Sequence, residues 1–208
     1  MKRMILACAA MAALYGAADT FTADLVIYGS SPAAVSAAVK AADMGLKPVI
    51  VAPEKHIGGL SVSGLGFTDS GNTSAIGGLA RDFYRRIYAA YQKPEAWRWQ
   101  KKEDFKAEGQ DTKAMNHAEK TMWTFEPHIA EQVFRDWLAE RRVEVHTGEF
   151  LDREKGVEKK DGRIVALATL SGNVYRGRYF IDATYEGDLM AAAGGSFAAT
   201  LPISERRS

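Results

Sequence analysis

The stretch from Asp24 to Ala34 reads DLVIYGSSPAA: an apolar run ending at Tyr28, then a turn of small residues. A short apolar run closed by glycine reads as a buried strand. Residues 32–44 are rich in alanine and valine, which suits a helix packed closely on a sheet, and Gly45 follows as a candidate C-cap. Pro48 to Val51 is a second apolar run. Strand, turn, helix and strand in this order predict a parallel βαβ unit. Such a unit aims its first strand at the N-terminus of the helix, where free backbone N–H groups and the helix dipole favour a pyrophosphate.

A dinucleotide-binding turn wants glycine at its first, third and sixth positions, for a tight turn, close approach of phosphate and close helix packing. Here those positions are Gly29, Ser31 and Ala34. Serine is small enough to admit a phosphate, and its hydroxyl is a candidate donor. Alanine is an accepted variant, and Pro32 suits the first helical turn, where a missing N–H costs little. Taken alone, this turn also fits an ordinary strand–helix connection. An acidic residue about 20 residues on normally closes the second strand and binds ribose hydroxyls. Ala52 stands there, and Glu54, two residues later, is the candidate substitute from the loop.

The chain has 208 residues, of which 47% are hydrophobic, enough to bury a core. Its net charge of +1 gives no argument for nucleic acid or an anionic membrane surface as partner. The first residues read as an export signal, residues 1–18: Lys2 and Arg3, an apolar run from Met4 to Leu14 too short to span a bilayer, then the small residues Gly16 to Ala18. Cleavage is expected after about Ala18, giving a periplasmic or extracellular protein of a bacterium-like cell, with no membrane attachment after removal. Cys8, the one cysteine, lies inside this segment, so the mature chain has no disulfide and no thiolate catalyst. A lipoprotein reading of Cys8 is the alternative.

Residues 53–78 combine many glycines with Leu60, Val62, Leu65 and Phe67, which favours a ligand-approaching loop over a polar linker. Leu79, Phe83, Ile87 and Tyr91 recur every four residues and predict a helix over 78–91. Residues 92–124 read as a polar surface excursion, with Trp97 and Trp99 either stacking on a sugar or packing under a loop. A second amphipathic helix follows Pro127, with Ile129, Val133, Phe134, Trp137 and Leu138 on one face. A strand at 143–146, a small β-meander and a returning strand at 175–181 complete the pattern.

Three segments then stand in order: the turn Gly29 to Ala34, the segment HIGGLSVSGLG from His56 to Gly66, and DATYEGD from Asp182 to Asp188. Together with Thr68, Asp69, Gly77, Gly78 and the run Phe125 to His128, they resemble FAD-dependent oxidoreductases. The likeness is to two-domain flavoproteins of the glutathione-reductase type, and to members exported by polysaccharide-degrading bacteria. It covers roughly residues 22–195. It implies an α/β, Rossmann-like FAD-binding fold with a central parallel sheet and a small β-meander, present in part, followed by an irregular tail at 196–208.

The resemblance implies that Gly29, Ser30, Ser31, Pro32, Ala33 and Ala34 hold the FAD pyrophosphate. Gly58 and Gly59 let backbone pass beside the ribityl–phosphate region. Asp182, Ala183 and Thr184 close over the phosphates, and Phe150 meets the adenine through its backbone. Two departures stand out: Ala52 in place of the ribose acid, and Tyr185 and Glu186 after the threonine, where glycine and aspartate are usual. The implied activity is transfer of hydride equivalents from a small organic substrate, with sugar-derived compounds as a candidate class, to flavin. Relatives carry a further, C-terminal substrate domain, so the chain is expected to be an N-terminal portion that binds FAD weakly or not at all. The alternative is a non-catalytic nucleotide-binding fragment. An NAD-binding domain without flavin is disfavoured by the second and third segments.

Catalytic residues are not assigned, because the isoalloxazine carries the redox chemistry in such flavoproteins. His56 is a candidate for a place near the flavin or for an ordinary loop hydrogen bond, and His128 for a structural role at a helix start. His117 and His146 have no evident partner. Asp69 and Asp188 are candidates for hydrogen bonds near the cofactor or for plain solvation. No histidine or carboxylate pair has ligand spacing, so no metal is expected, and no nucleophile elbow suggests a hydrolase.

Overall fold

The computed structural model describes residues 18–106 and 113–196. The export-signal and tail expectations, Cys8 included, lie essentially outside these residues.

Strand β1 (Thr20–Tyr28) runs from an exposed start into the centre of the protein, and its last three residues, Val26, Ile27 and Tyr28, are buried. Helix α1 (Pro32–Asp43) follows after three residues. Ser31 is its N-cap and Pro32 takes the first helical turn. Ala34, Val35, Ala38, Val39 and Ala41 form its buried face, and their small side chains let the helix lie close to the sheet. Strand β2 (Pro48–Ala52) is buried along its whole length.

A long glycine-rich segment leads to helix α2 (Gly78–Ala90). A two-stranded ladder of β3 (Met115–Asn116) and β4 (Thr121–Met122) precedes helix α3 (Pro127–Glu140), and the outer strand β5 (Glu144–Thr147) comes next. Strands β6 (Val157–Lys160), β7 (Arg163–Ala168) and β8 (Val174–Asp182) form the meander and its return, and a short helix α4 (Asp188–Ala192) follows.

Six strands make one sheet in the order β5-β2-β1-β8-β7-β6. β1 is parallel to β2, with Val26 opposite Val49 and Tyr28 opposite Val51. It is also parallel to β8, with Ile27 opposite Ile181 and Tyr28 opposite Asp182. β5 adds a further parallel strand, while β7 and β6 are antiparallel. The expected parallel sheet and meander are therefore present. β1 is left on one side through α1 to β2 and joined on the other by β8, so the carboxyl ends of β1 and β8 mark the point where strand order reverses. Ligands bind at such points in open α/β sheets.

Alternation along the strands separates two cores. Leu25, Ile27, Ile50 and Ala52 face the helices, while Val26, Tyr28, Val49 and Val51 face Leu151, Leu167, Tyr175 and Leu189. On the helical side, the Phe83 and Phe134 rings stack at 4.5 Å and join α2 to α3. Each such buried ring contributes about 2–3 kcal/mol. Arg86 adds a paired contact to the Glu140 carboxylate at 2.7 Å and lies over the Trp137 ring.

The segment 92–124 differs from the expected surface excursion. Ala96, Ala114, Met115, Met122 and Trp123 are buried, and Tyr84 of α2 meets the Trp123 ring at 4.2 Å. Strands of two residues are too short to show a period, so the ladder was not visible in sequence. Trp97 packs on Tyr91 and Phe105 and donates Nε1–H to the Tyr91 carbonyl, whereas Trp99 is exposed.

Candidate functional site

The turn after β1 is built by backbone contacts. The Gly29 N–H donates to the Val51 carbonyl at 2.9 Å, which ties the turn to β2. On the other side the Gly29 backbone lies against Ala183, so close that a Cβ at position 29 would stand 2.6 Å from the Ala183 carbonyl. The Gly58 N–H donates to the Ser30 carbonyl at 2.7 Å, which draws the second glycine segment over the same turn. Thus Gly29, Ser30, Ser31, Gly58, Gly59, Ala183 and Thr184 come together at the carboxyl ends of β1 and β8. Pro32, Ala33 and Ala34 open α1 directly behind them; Ala33 is exposed and Ala34 is buried against the sheet.

Ser31 has a role different from the expected phosphate donor. Its Oγ–H donates to the Ala183 carbonyl at 2.7 Å, and the same oxygen accepts the Ala34 N–H at 3.4 Å. Its hydroxyl therefore caps α1 and joins it to β8. Ser30, also buried, donates its hydroxyl to Glu54 Oε2 at 2.7 Å. Asp182 and Thr184 knit their own segment: the Asp182 carboxylate accepts Thr184 N–H, Thr184 Oγ1–H and Met190 N–H, and Thr184 Oγ1 accepts from Gly187 and Asp188.

Beside the turn lies a cleft of about 650 Å³, lined among others by Tyr28, Glu54, Phe150, Arg153, Glu186 and Asp188. Ala52 ends β2 fully buried, so a side chain there is shut in the helical core while Glu54 stands exposed at the cleft. The Phe150 ring is 57% exposed there, and its carbonyl already accepts the Leu170 N–H at 2.8 Å. Tyr28 Oη accepts the Leu151 N–H at 2.9 Å, and burial pushes its phenol pKa up, so it stays a neutral hydroxyl. Asp188 pairs with Arg153 at 2.7 Å across the lining. Acidic side chains outnumber basic ones along this cleft, which suits a ligand part rich in O–H and N–H donors better than a phosphate. A larger surface depression, about 820 Å³, borders Arg81, Arg85 and Tyr88 and shares no residue with the turn.

Other sequence candidates sit elsewhere. His56 pairs with Glu131 at 2.7 Å on the surface, an ordinary loop contact. Partial burial pushes the Glu131 carboxyl up, but hydrogen bonds and charge from His56 and Arg135 outweigh this and hold it below the usual range. His128 is half-buried in the first turn of α3, and Asp69 is exposed. His117 does have a partner, Tyr88 Oη at 3.0 Å, and His146 has two, Tyr175 Oη and Glu144 Oε1, each at 2.8 Å. Glu144 lies two residues from His146 on the same strand, whereas the pairings with Tyr88 and Tyr175 join distant parts of the chain and left no local signal. Tyr28 and Tyr185 were missed as parts of the site for the same reason.

The architecture and the turn agree with sequence comparison. A family profile described as FAD dependent oxidoreductase matches residues 24–200. The chain belongs to the FAD-dependent oxidoreductase family. FAD is the cofactor of this family, and the βαβ unit with its glycine turn is the Rossmann-like FAD-binding fold. Among solved structures, the fold is similar to that of a geranylgeranyl bacteriochlorophyll reductase-like protein from Thermoplasma acidophilum. The TM-score is 0.53 at 18% identity, covering 86% of this chain and 44% of that one. It is also similar to L-amino acid deaminase from Proteus vulgaris, with a TM-score of 0.52 at 19% identity, covering 82% of this chain and 49% of that one. The chain spans less than half the length of either. No curated protein sequence matches it.

The residues present fit FAD. A Cβ at Gly29 would fill the turn's contact with β8, the N-terminus of α1 opens behind the turn, and the adjoining cleft is large enough for an adenosine.

Proposed function

We propose that this chain is the FAD-binding part of a flavin-dependent oxidoreductase. The observation that carries the reading is the close backbone packing of Gly29 on Ala183, which puts the N-terminus of α1 at the switch point between β1 and β8 in a member of this family. In this reading the diphosphate lies on the turn Gly29–Ala34, and the adenosine enters the cleft.

Glu54 replaces the acid missing at Ala52. Ser30 holds one carboxylate oxygen at 2.7 Å, and the remaining lone pairs accept the ribose hydroxyls. A carboxylate there favours a free 2′-hydroxyl over a 2′-phosphate, which it repels. The Phe150 ring offers an apolar face to adenine, and the Tyr28 hydroxyl a donor at the cleft floor. When bound, FAD supplies the redox centre that takes up hydride equivalents from an organic substrate.

A sugar-derived substrate and export to the periplasm or medium extend the proposal, on the family resemblance and the basic, short-apolar leader. The test is to load the full chain with FAD and follow flavin absorbance and dye reduction with a panel of sugars. Bleaching and turnover support an oxidoreductase acting on sugars. Binding without bleaching retains the cofactor assignment and gives the sugar substrate no support.

A further inference from the structure

Tyr185 stands where the diphosphate turn, the second glycine segment and the strand-end segment meet. Its Oη accepts the Leu60 N–H at 2.9 Å. A Cβ at Gly59 would collide with this hydroxyl and would stand 3.1 Å from Ser31 Cα, so the phenol oxygen lies beside the N-cap of α1. The side chain is 58% exposed, so burial is not what keeps a large ring in this place.

Of the serine and threonine hydroxyls in these three segments, all but that of Ser61 already donate their protons within the protein. Ser30 donates to Glu54, Ser31 to the Ala183 carbonyl, Ser63 to the Gly59 carbonyl, and Thr184 to Asp182. Among the described residues of these three segments, the Tyr185 hydroxyl acts only as an acceptor, and its proton is free. The turn also lacks glycine at its third and sixth positions, and its serines give their protons inward. An anion on the turn is therefore offered backbone N–H groups and, beside the N-cap of α1, the free hydroxyl proton of Tyr185.

We infer that Tyr185 is a cofactor-binding residue whose O–H donates to the diphosphate on the Gly29–Ala34 turn, while its oxygen keeps the Leu60 segment closed over the same site. This rests on the FAD reading above. Glycine at position 59 is then needed for the phenol to reach its place.

The test titrates the full chain, followed by amide NMR, with FAD and separately with inorganic pyrophosphate. Tyr185→Phe should weaken both ligands about tenfold, the effect of one donor to a charged group. Gly59→Ala, which displaces the phenol without deleting it, should weaken them similarly, and the double variant should add little more. Tyr185→Phe binding both ligands like the unaltered chain, or Tyr185→Ala binding FAD more tightly, overturns the role of Tyr185 and leaves the FAD reading standing. Weakened FAD with unchanged pyrophosphate also overturns it, because the contact is then not to phosphate. Failure of the unaltered chain to bind FAD overturns both.

Discussion

Gly29 and Ala183 meet backbone to backbone: a Cβ on Gly29 would stand 2.6 Å from both the carbonyl carbon and the carbonyl oxygen of Ala183, on a backbone with φ of +123°. Neither neighbour can yield, because Ala183 is held by its own N–H to the Tyr28 carbonyl at 2.7 Å. Gly29→Ala is expected to cost about 3 kcal/mol or more in stability. Gly45→Ala, with φ of +80° and open space around it, is expected to cost about 1 kcal/mol. Urea unfolding of both variants checks the contrast; equal midpoints would show that β1 and β8 do not pack so closely.

Glu54→Gln should leave stability within about 0.5 kcal/mol, since the side chain is exposed. It should lower FAD affinity about 10-fold or more, through loss of a charged acceptor for the ribose. Ser30→Ala should cost less affinity, because the carboxylate remains but is no longer held. Fluorescence titration reads both. Unchanged affinity in Glu54→Gln would place the ribose elsewhere.

Glu149 follows the outer strand, and its carboxylate accepts Thr169 Oγ1, Ser171 Oγ and Asn173 Nδ2 at 2.5, 2.7 and 2.8 Å. Partial burial pushes its pKa up, but the three hydrogen bonds outweigh this and hold it below the usual carboxylate range. A folded pKa below the unfolded one gives stability that is present above about pH 4.3 and lost as pH falls through the folded value. Glu149→Gln should cost about 1 kcal/mol at pH 7, with the gap closing as pH falls through the lowered folded pKa. A difference that stays constant with pH would contradict this.

The βαβ unit was legible because every signal in it is local: the apolar runs, the alanine-rich face of α1 and the glycine at the turn. The faces of α2 and α3 were legible for the same reason, since Phe83, Ile87, Phe134 and Trp137 repeat at helical spacing. What escaped was long-range or short. The β3–β4 ladder has two-residue strands. Ser31 could be read as a small turn residue, but not as a donor to Ala183, which lies far along the chain. Tyr185 reads as a departure from the glycine and aspartate usual there, and only the fold shows it beside Gly59.

The proposed export signal predicts a mature N-terminus near Ala18 when the chain is expressed in an exporting host. N-terminal sequencing of the exported protein checks this. Exported protein still starting at Met1 would contradict it.

FAD binding at this turn and cleft can be read directly. The direct measurement is a titration of the full chain with FAD, followed by flavin fluorescence, with ADP as competitor. Saturable binding at FAD concentrations up to about 1 mM, displaced by ADP and weakened in Glu54→Gln, is the expected result. No saturation over that range, or binding that neither ADP nor Glu54→Gln affects, would contradict the assignment.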